Sequence, residues 1–414
     1  MSARRALSVS ALLALALAEA CSDGGRPEVA KPNGDAGGAA GAAGSGGKPD
    51  ASDDRDEPDA PSDADASDAA LPPVRLGIAP VPASSGDAGP SPAEQKLAEL
   101  EVLALGSRGV SQVWRWDALY ESPKLPSASA WAKLGGLSQL HAQGNRSLLL
   151  CVALTDRTLD ARPPGSAPGW NDPTTRAALD ALVDKVFTTF GDELFALSFG
   201  NDLDRYLAKE TPTNTAELGA LVEHGIEYAK QHPARPKALL VGATFGSDAL
   251  AKPPSAVVAG ILAKADVAVA TLYPLDPGFA ARPPAAVAQD LDALIAMGQA
   301  DAGVDAGPAK PILLQEVGYP SASANASSPS QQSSFYLGLF QALTTRRQHF
   351  PFVSVNGLHD AHLARCQSEA AAFGASGNAT AIASRCSLGL RGADGGAKPA
   401  LSSVLAALAA FSTP

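Results

Sequence analysis

The chain has 414 residues, with 43 acidic against 32 basic side chains and a formal net charge of −11. That balance supplies no basic surface for a phosphate backbone, which excludes nucleic acid as a partner. No H-E-x-x-H or C-x-x-C spacing joins its 6 histidines and 4 cysteines, and no phosphate-cradling Gly loop or G-x-S-x-G elbow occurs, so neither a metal nor a cofactor is expected.

In chain order, residues 1–21 read as an export address, because Arg4 and Arg5 precede an apolar run over 6–18 that ends at Ala20-Cys21. A lone cysteine after small residues resembles the lipobox of bacterial lipoproteins. That resemblance implies that Cys21 becomes the acylated N-terminus of an exported protein, held at the periplasmic or cell-surface face of the envelope. Glu19 is unusual beside such a cleavage position, and simple secretion is the alternative. No later segment has the roughly 20 continuous apolar residues of a membrane span, so the membrane is expected as a partner through the lipid anchor only. Residues 22–73 carry 12 acidic and 4 basic side chains among Ala, Gly, Ser and Pro. Almost no aromatic or β-branched side chains are present there to offset the entropy of ordering, which predicts a disordered linker. The body, 74–414, then holds a net charge of −4.

Eight apolar runs in the body predict strands at 74–79, 110–115, 147–154, 194–199, 237–244, 266–272, 311–316 and 352–356. Amphipathic stretches separate them. Ser91-Pro92-Ala93-Glu94 is a capping box with proline at the first helical position, Asp172-Pro173 and Ser328-Pro329 open two further helices, and Gly191 is expected to close the first of those two. One helix per gap makes repeated βα units, which predicts an α/β fold: a (β/α)8 TIM barrel over 74–414, as a monomer. A doubly wound open sheet shares this alternation, since periodicity does not prove closure. The acidic, glycine-rich stretch at 300–307 reads as a surface insertion before strand seven. Cys151, inside the apolar run 148–154, is expected as a buried thiol. Cys366 and Cys386 lie 20 residues apart in a segment rich in Gly, Ala and Ser, and in an exported protein they are expected to form a disulfide bracing the loop after the last strand.

Two carboxylates end apolar runs, Asp202 after strand four and Glu316 on strand seven. Active sites of such barrels form at the C-terminal strand ends. Cleavage of a glycosidic bond needs two carboxyl groups there, one to protonate the leaving oxygen and one to attack or stabilise the anomeric carbon. Gly200-Asn201-Asp202 and Gln315-Glu316-Val317-Gly318-Tyr319-Pro320-Ser321 resemble motifs of the retaining glycoside hydrolases of the (β/α)8-barrel clan, supported by Tyr273 in Thr271-Leu272-Tyr273-Pro274 and by Arg115. The resemblance covers approximately residues 74–411. It implies a carbohydrate substrate, Glu316 as nucleophile, Asp202 as acid/base, Asn201 bonded to the 2-hydroxyl, and Tyr273 bonded to the nucleophile. Arg115 and Tyr273 would keep Glu316 ionised.

One departure matters: the clan has Glu where this chain has Asp202. Loss of a methylene sets the carboxyl back by about 1 to 1.5 Å, enough to slow the reaction, change its stereochemistry or leave a barrel that only binds sugar. A non-catalytic carbohydrate-binding barrel is therefore the alternative function. Asp204, two residues on, is a second candidate acid. Trp170, in the loop after strand three, is expected as a stacking platform, and His359 and Asp360, after strand eight, as rim residues. Each has a structural rival, the plainest being an ion pair of Arg115 with Asp117.

Overall fold

A computed structural model describes residues 73–83, 91–300 and 310–412. Cys21, the export address, the linker and most of the 300–307 stretch lie outside the described residues. All eight expected strands form: β1 (Arg75–Ile78), β2 (Gly109–Arg115), β3 (Ser147–Asp156), β4 (Leu194–Asn201), β5 (Leu240–Gly246), β6 (Val267–Leu272), β7 (Ile312–Val317) and β8 (Phe352–Val355). β5 begins later than its apolar run suggests. Pro236 starts a turn there, in which Leu239 donates its N–H to the Pro236 carbonyl at 3.0 Å and Arg235 Nη2 donates to the Leu239 carbonyl at 2.6 Å.

The strands are parallel, each pairs with its neighbours in sequence, and β8 pairs with β1, so the sheet closes and the open-sheet alternative is excluded. The seam between β1 and β2 consists of one pair, Gly77 opposite Gly109. Backbones approach so closely there that a Cβ on Gly77 would lie 1.7 Å from the Gly109 carbonyl oxygen.

Outside the barrel pack α1 (Pro92–Ala104), α2 (Ala128–Gln143), α3 (Pro173–Thr189), α4 (Pro212–Gln231), α5 (Ala256–Lys264), α6 (Val287–Ala300), α7 (Pro329–Thr344) and α8 (Pro399–Ser412). The Ser91 capping box, Asp172 and Ser328 open α1, α3 and α7 as expected. Gly191 does not close α3; Phe190 caps it in an extended conformation, its ring buried in the core.

Strand alternation divides the apolar residues into two layers. Leu148, Leu150, Val152 and Leu154 of β3 face the helices, whereas Leu149 and Cys151 join Ala196, Val267, Val269, Leu313 and Phe352 in a smaller cluster inside the barrel. This inner cluster forms the floor beneath the C-terminal mouth. Cys151 is buried there as a free thiol.

The segment between β8 and α8 is the longest excursion at that mouth. It carries two short helices, Leu363–Ala372 and Ala379–Cys386, joined by the expected Cys366–Cys386 disulfide. Mouth loops and α7 hold it: Thr158 Oγ1 donates to the Ala372 carbonyl at 2.8 Å, Asn325 Nδ2 to the Thr380 carbonyl at 2.9 Å, and Gln332 Nε2 of α7 to the Leu388 carbonyl at 3.2 Å.

Candidate active site

A chain of buried polar side chains rises from the floor. Ser198 of β4 and Thr244 of β5 share a hydrogen bond of 2.5 Å, Thr244 donates to Gln315 Oε1 at 2.8 Å, Gln315 Nε2 donates to Asn201 Oδ1 at 3.1 Å, and Asn201 Nδ2 donates to Asp156 Oδ1 at 3.0 Å. Buried amides with every partner supplied hold one orientation, so this ladder fixes the ends of β4 and β7.

Glu316 enters the mouth through a backbone irregularity. Leu313 points into the barrel, so strict alternation would send Gln315 inward and Glu316 out toward the helices. Between Leu314 and Glu316 the pairing with β6 slips by one residue, and this bulge lets both consecutive side chains face the mouth. Glu316 Oε2 accepts the Tyr273 hydroxyl at 2.6 Å, and Asn356 at the end of β8 donates to that same hydroxyl oxygen. Burial pushes the Glu316 carboxyl above its ordinary range, while Arg157 and the Tyr273 hydrogen bond pull against that rise. Burial and the neighbouring carboxylate hold the Tyr273 phenol far above its own ordinary value, so it remains a donor.

Asp202 reaches the same mouth from β4 by a different device. Gly200 and Asp202 have φ of 74° and 49°, in the left-handed region that an aspartate tolerates and glycine prefers. The Asp202 carboxyl is buried; Oδ1 accepts the Thr271 hydroxyl at 2.5 Å, and Oδ2 lies 3.7 Å from Arg205 Nε. Asp204 turns aside, accepting the Gly246 N–H at 2.7 Å, and burial together with Asp202 pushes its carboxyl up to about 6.

One guanidinium connects the two carboxylates. Arg157 Nε is 3.9 Å from Asp202 Oδ2 and its Nη2 is 3.9 Å from Glu316 Oε2, while Nη1 donates to Asp156 at 3.2 Å. Burial acts to depress the Arg157 pKa, but Asp156, Glu316, Glu369 and Asp202 together raise it, so the cation persists. Its backbone is also left-handed, φ 56°, with its N–H donated to the Asn201 carbonyl at 2.7 Å. Of the five non-glycine residues with positive φ among the described residues, Arg157 and Asp202 lie at the carboxylate pair, so part of the backbone strain is held at the site.

Of the residues expected from sequence, Glu316, Asp202, Asn201 and Tyr273 are brought together. Arg115 is not beside Glu316: it forms a bidentate pair with Asp117 at 3.0 and 2.6 Å and lies 3.8 Å from Asp156, so Arg157 occupies the place expected for it. Trp170 presents no open face, being 2% exposed with the Arg162 guanidinium over one face at 4.1 Å and Tyr206 against it at 5.6 Å. His359 is buried, its Nδ1 3.0 Å from the Val81 carbonyl oxygen, and Asp360 accepts Lys398 Nζ at 2.6 Å and the Gly389 N–H at 2.9 Å. Both pin the β8 loop instead of lining the rim.

Sequence reasoning missed Arg157 and the residues of the disulfide-linked helices. Thr155-Asp156-Arg157-Thr158, a charged pair directly after a long apolar strand, was the available signal for the first. Arg365 and Glu369, paired at 2.8 Å with helical i,i+4 spacing, are mouth residues as well: Glu369 is part-buried, and Arg365, Arg157 and Arg385 overcome its desolvation to lower its pKa. Phe373 follows, with the Arg157, Arg205 and Arg385 guanidiniums 4.5, 4.9 and 4.2 Å from its ring centre. Two cavities open here, one of about 230 Å³ lined by Asp202, Tyr273, Phe373 and Arg385, the other of about 170 Å³ lined by Glu316, Gln315, Asn356 and Arg365.

As a sequence the chain matches no protein family model and no curated protein. As a fold it is similar to solved glycoside hydrolases. A GH5_18 enzyme from Streptomyces cattleya in complex with Manβ1-4GlcNAc is 16% identical, with a TM-score of 0.61 over 82% of this chain and 81% of that one. A GH5_18 protein from Bifidobacterium longum subsp. longum is 14% identical, with a TM-score of 0.60 over 82% of this chain and 80% of the other. An exo-β-1,4-mannosidase from Opitutaceae bacterium strain TAV5 is 17% identical, with a TM-score of 0.60 over 82% of this chain and 60% of its own. These likenesses show that the barrel is of the architecture used by glycoside hydrolases.

Proposed function

We propose that the protein hydrolyses a glycosidic bond of an oligo- or polysaccharide with Glu316 as nucleophile and Asp202 as acid/base. The observation that carries this reading is the meeting of Asp202 and Glu316, 114 residues apart, on the Arg157 guanidinium at one strand-end rim, with Tyr273 donating to Glu316. A Glu316 oxygen attacks the anomeric carbon while Asp202 gives its proton to the departing glycosidic oxygen; water then cleaves the ester, returning a proton to Asp202. Arg157 and Tyr273 favour the ionised Glu316 that attack requires and receive it again as the leaving carboxylate. In this reading Asn201, whose amide already bonds Gln315 and Asp156, gives its remaining Nδ2 hydrogen to the 2-hydroxyl, a bond that would strengthen as positive charge develops on the sugar.

A second reading keeps the cleft without turnover: a carbohydrate-binding barrel. It is favoured by the short side chain of Asp202, already engaged by the Thr271 hydroxyl and two guanidiniums. Product analysis on a polysaccharide panel that includes β-mannosides, the linkage class named for one structurally similar enzyme, separates the two readings. The enzyme reading expects products, and a loss of about 10³-fold or more in Glu316→Gln, since removing a unit of a catalytic pair costs rate on that scale. Binding without products, or hydrolysis that persists in Glu316→Gln, refutes it. An increased rate in Asp202→Glu would identify the short acid as the limiting group.

A further inference from the structure

One guanidinium at the mouth has no counter-ion in contact. Arg385 is 3% exposed and lies between the rings of Tyr273 and Phe373, 4.4 and 4.2 Å from their centres. Among the described residues it makes no hydrogen bond and no ion pair, and its Nε and Nη1 are buried without a partner. Two aromatic faces offset only part of what a cation loses when it is removed from water. Burial accordingly depresses the Arg385 pKa. A cation kept at that cost beside reacting groups is a candidate for ligand contact.

Arg205 stands beside it, with its guanidinium 4.9 Å from the centre of the same Phe373 ring, and both arginines line the cavity that holds Asp202. Two further carboxylates border this cavity. Asp276 is occupied by the Gly278 and Ala280 N–H groups of its own turn, each at 2.8 Å, and Asp248 is exposed at the start of the short helix Ser247–Leu250. Neither pairs with Arg385.

We propose that Arg385, assisted by Arg205, binds an anionic substituent of the saccharide, so that the substrate is an acidic glycan bearing a uronic carboxylate or a sulfate ester. The proposal rests on the two-carboxylate reading of the site. In that reaction Asp202 begins protonated and Glu316 loses its charge on forming the ester; Asp156 and Glu369 remain to face Arg157 and Arg365, whereas Arg385 still has no carboxylate in contact, and a substrate anion would supply one. Arg385 sits in the last turn of its helix, directly before the disulfide-bonded Cys386, so its backbone is held before any ligand arrives.

The test is calorimetric binding to Glu316→Gln protein, in which turnover does not interfere, together with product analysis on the unmodified chain. Probes are oligouronides, their carboxyl-reduced neutral counterparts, and sulfated and desulfated oligosaccharides of one backbone. The charged member of one pair is expected to bind about tenfold or more tighter than its neutral partner, the scale of one charge-assisted hydrogen bond. Which pair shows the preference distinguishes carboxylate from sulfate. In Arg385→Gln combined with Glu316→Gln the ratio collapses toward one, and Arg385→Lys restores part of it. Equal affinity for charged and neutral probes, a ratio unchanged in Arg385→Gln, or no binding to any charged probe overturns the proposal. Hydrolysis of neutral and charged glycans alike would sink it while leaving the hydrolase reading intact; a charge preference with no products would do the reverse.

Discussion

At the scale of single residues, the site is defined by what surrounds Glu316. Its carboxyl is raised by burial and lowered by Arg157 and by the Tyr273 hydroxyl at 2.6 Å. The nucleophile must be ionised, so activity fails on the acid side as Glu316 takes up a proton. In Tyr273→Phe the lowering hydrogen bond is gone, the pKa rises further, and the acid limb of kcat/KM moves to higher pH, with a rate loss of about 10- to 100-fold at neutral pH if one charge-assisted hydrogen bond is worth about 1.5 to 3 kcal/mol. A pH–rate profile checks this. An acid limb that stays in place, or moves to lower pH, would show that Tyr273 does not act on the group that titrates.

Among elements, the thinnest part of the barrel is the β1–β2 seam, where Gly77 and Gly109 form the sole pair. Gly77→Ala puts a methyl 1.7 Å from a carbonyl oxygen, a backbone clash that no rotamer relieves, and is expected to cost about 3 kcal/mol or more. Gly135→Ala in α2 meets nothing within 4 Å and, in a helix interior, should gain about 0.5 to 1 kcal/mol. Thermal midpoints of the two variants test this contrast; an unchanged midpoint in Gly77→Ala would mean that the seam is looser than described. Elements were also what the sequence disclosed most fully. Strands such as Ser147–Asp156 and Val267–Leu272 are apolar runs buried on both faces, which have little amphipathic ambiguity once bounded by helix caps, whereas β2, Gly109–Arg115, is half-buried over its last four residues. The bulge in β7 was not legible, because no glycine or turn residue marks it within Leu313-Leu314-Gln315-Glu316-Val317 and the slip exists only relative to β6. Nor was the role of Arg157: its contacts to Asp202 and Glu316 join three strand ends distant in sequence. The Cys366–Cys386 disulfide was readable from spacing, yet its position over the mouth depends on loops after β3 and β7.

For the whole molecule, the barrel supplies a mouth and the N-terminal sequence carries a proposed address. We propose that the chain is exported and held at the bacterial envelope through an acylated Cys21, on the strength of Arg4-Arg5, the apolar run and the cysteine after Ala20. Cys21→Ser is expected to shift the protein from the detergent-requiring membrane fraction to the soluble exported fraction, read by fractionation and immunoblot; retention in the membrane fraction would refute the lipid anchor. Closure of the barrel gives the carboxylate pair its meaning, since only in a ring do the ends of the fourth and seventh strands face a common opening. The proposed mechanism turns on a covalent bond between Glu316 and the sugar. Incubation with 2-deoxy-2-fluoroglycosides bearing a good leaving group, followed by peptide mass spectrometry, measures it most directly, because the fluorine slows both formation and breakdown of the ester while the leaving group restores formation, so the ester accumulates. A glycosyl adduct on Glu316, absent in Glu316→Gln, is the expected result; an adduct on another carboxylate, or hydrolysis of the reagent with no adduct at all, would rule out Glu316 as the nucleophile.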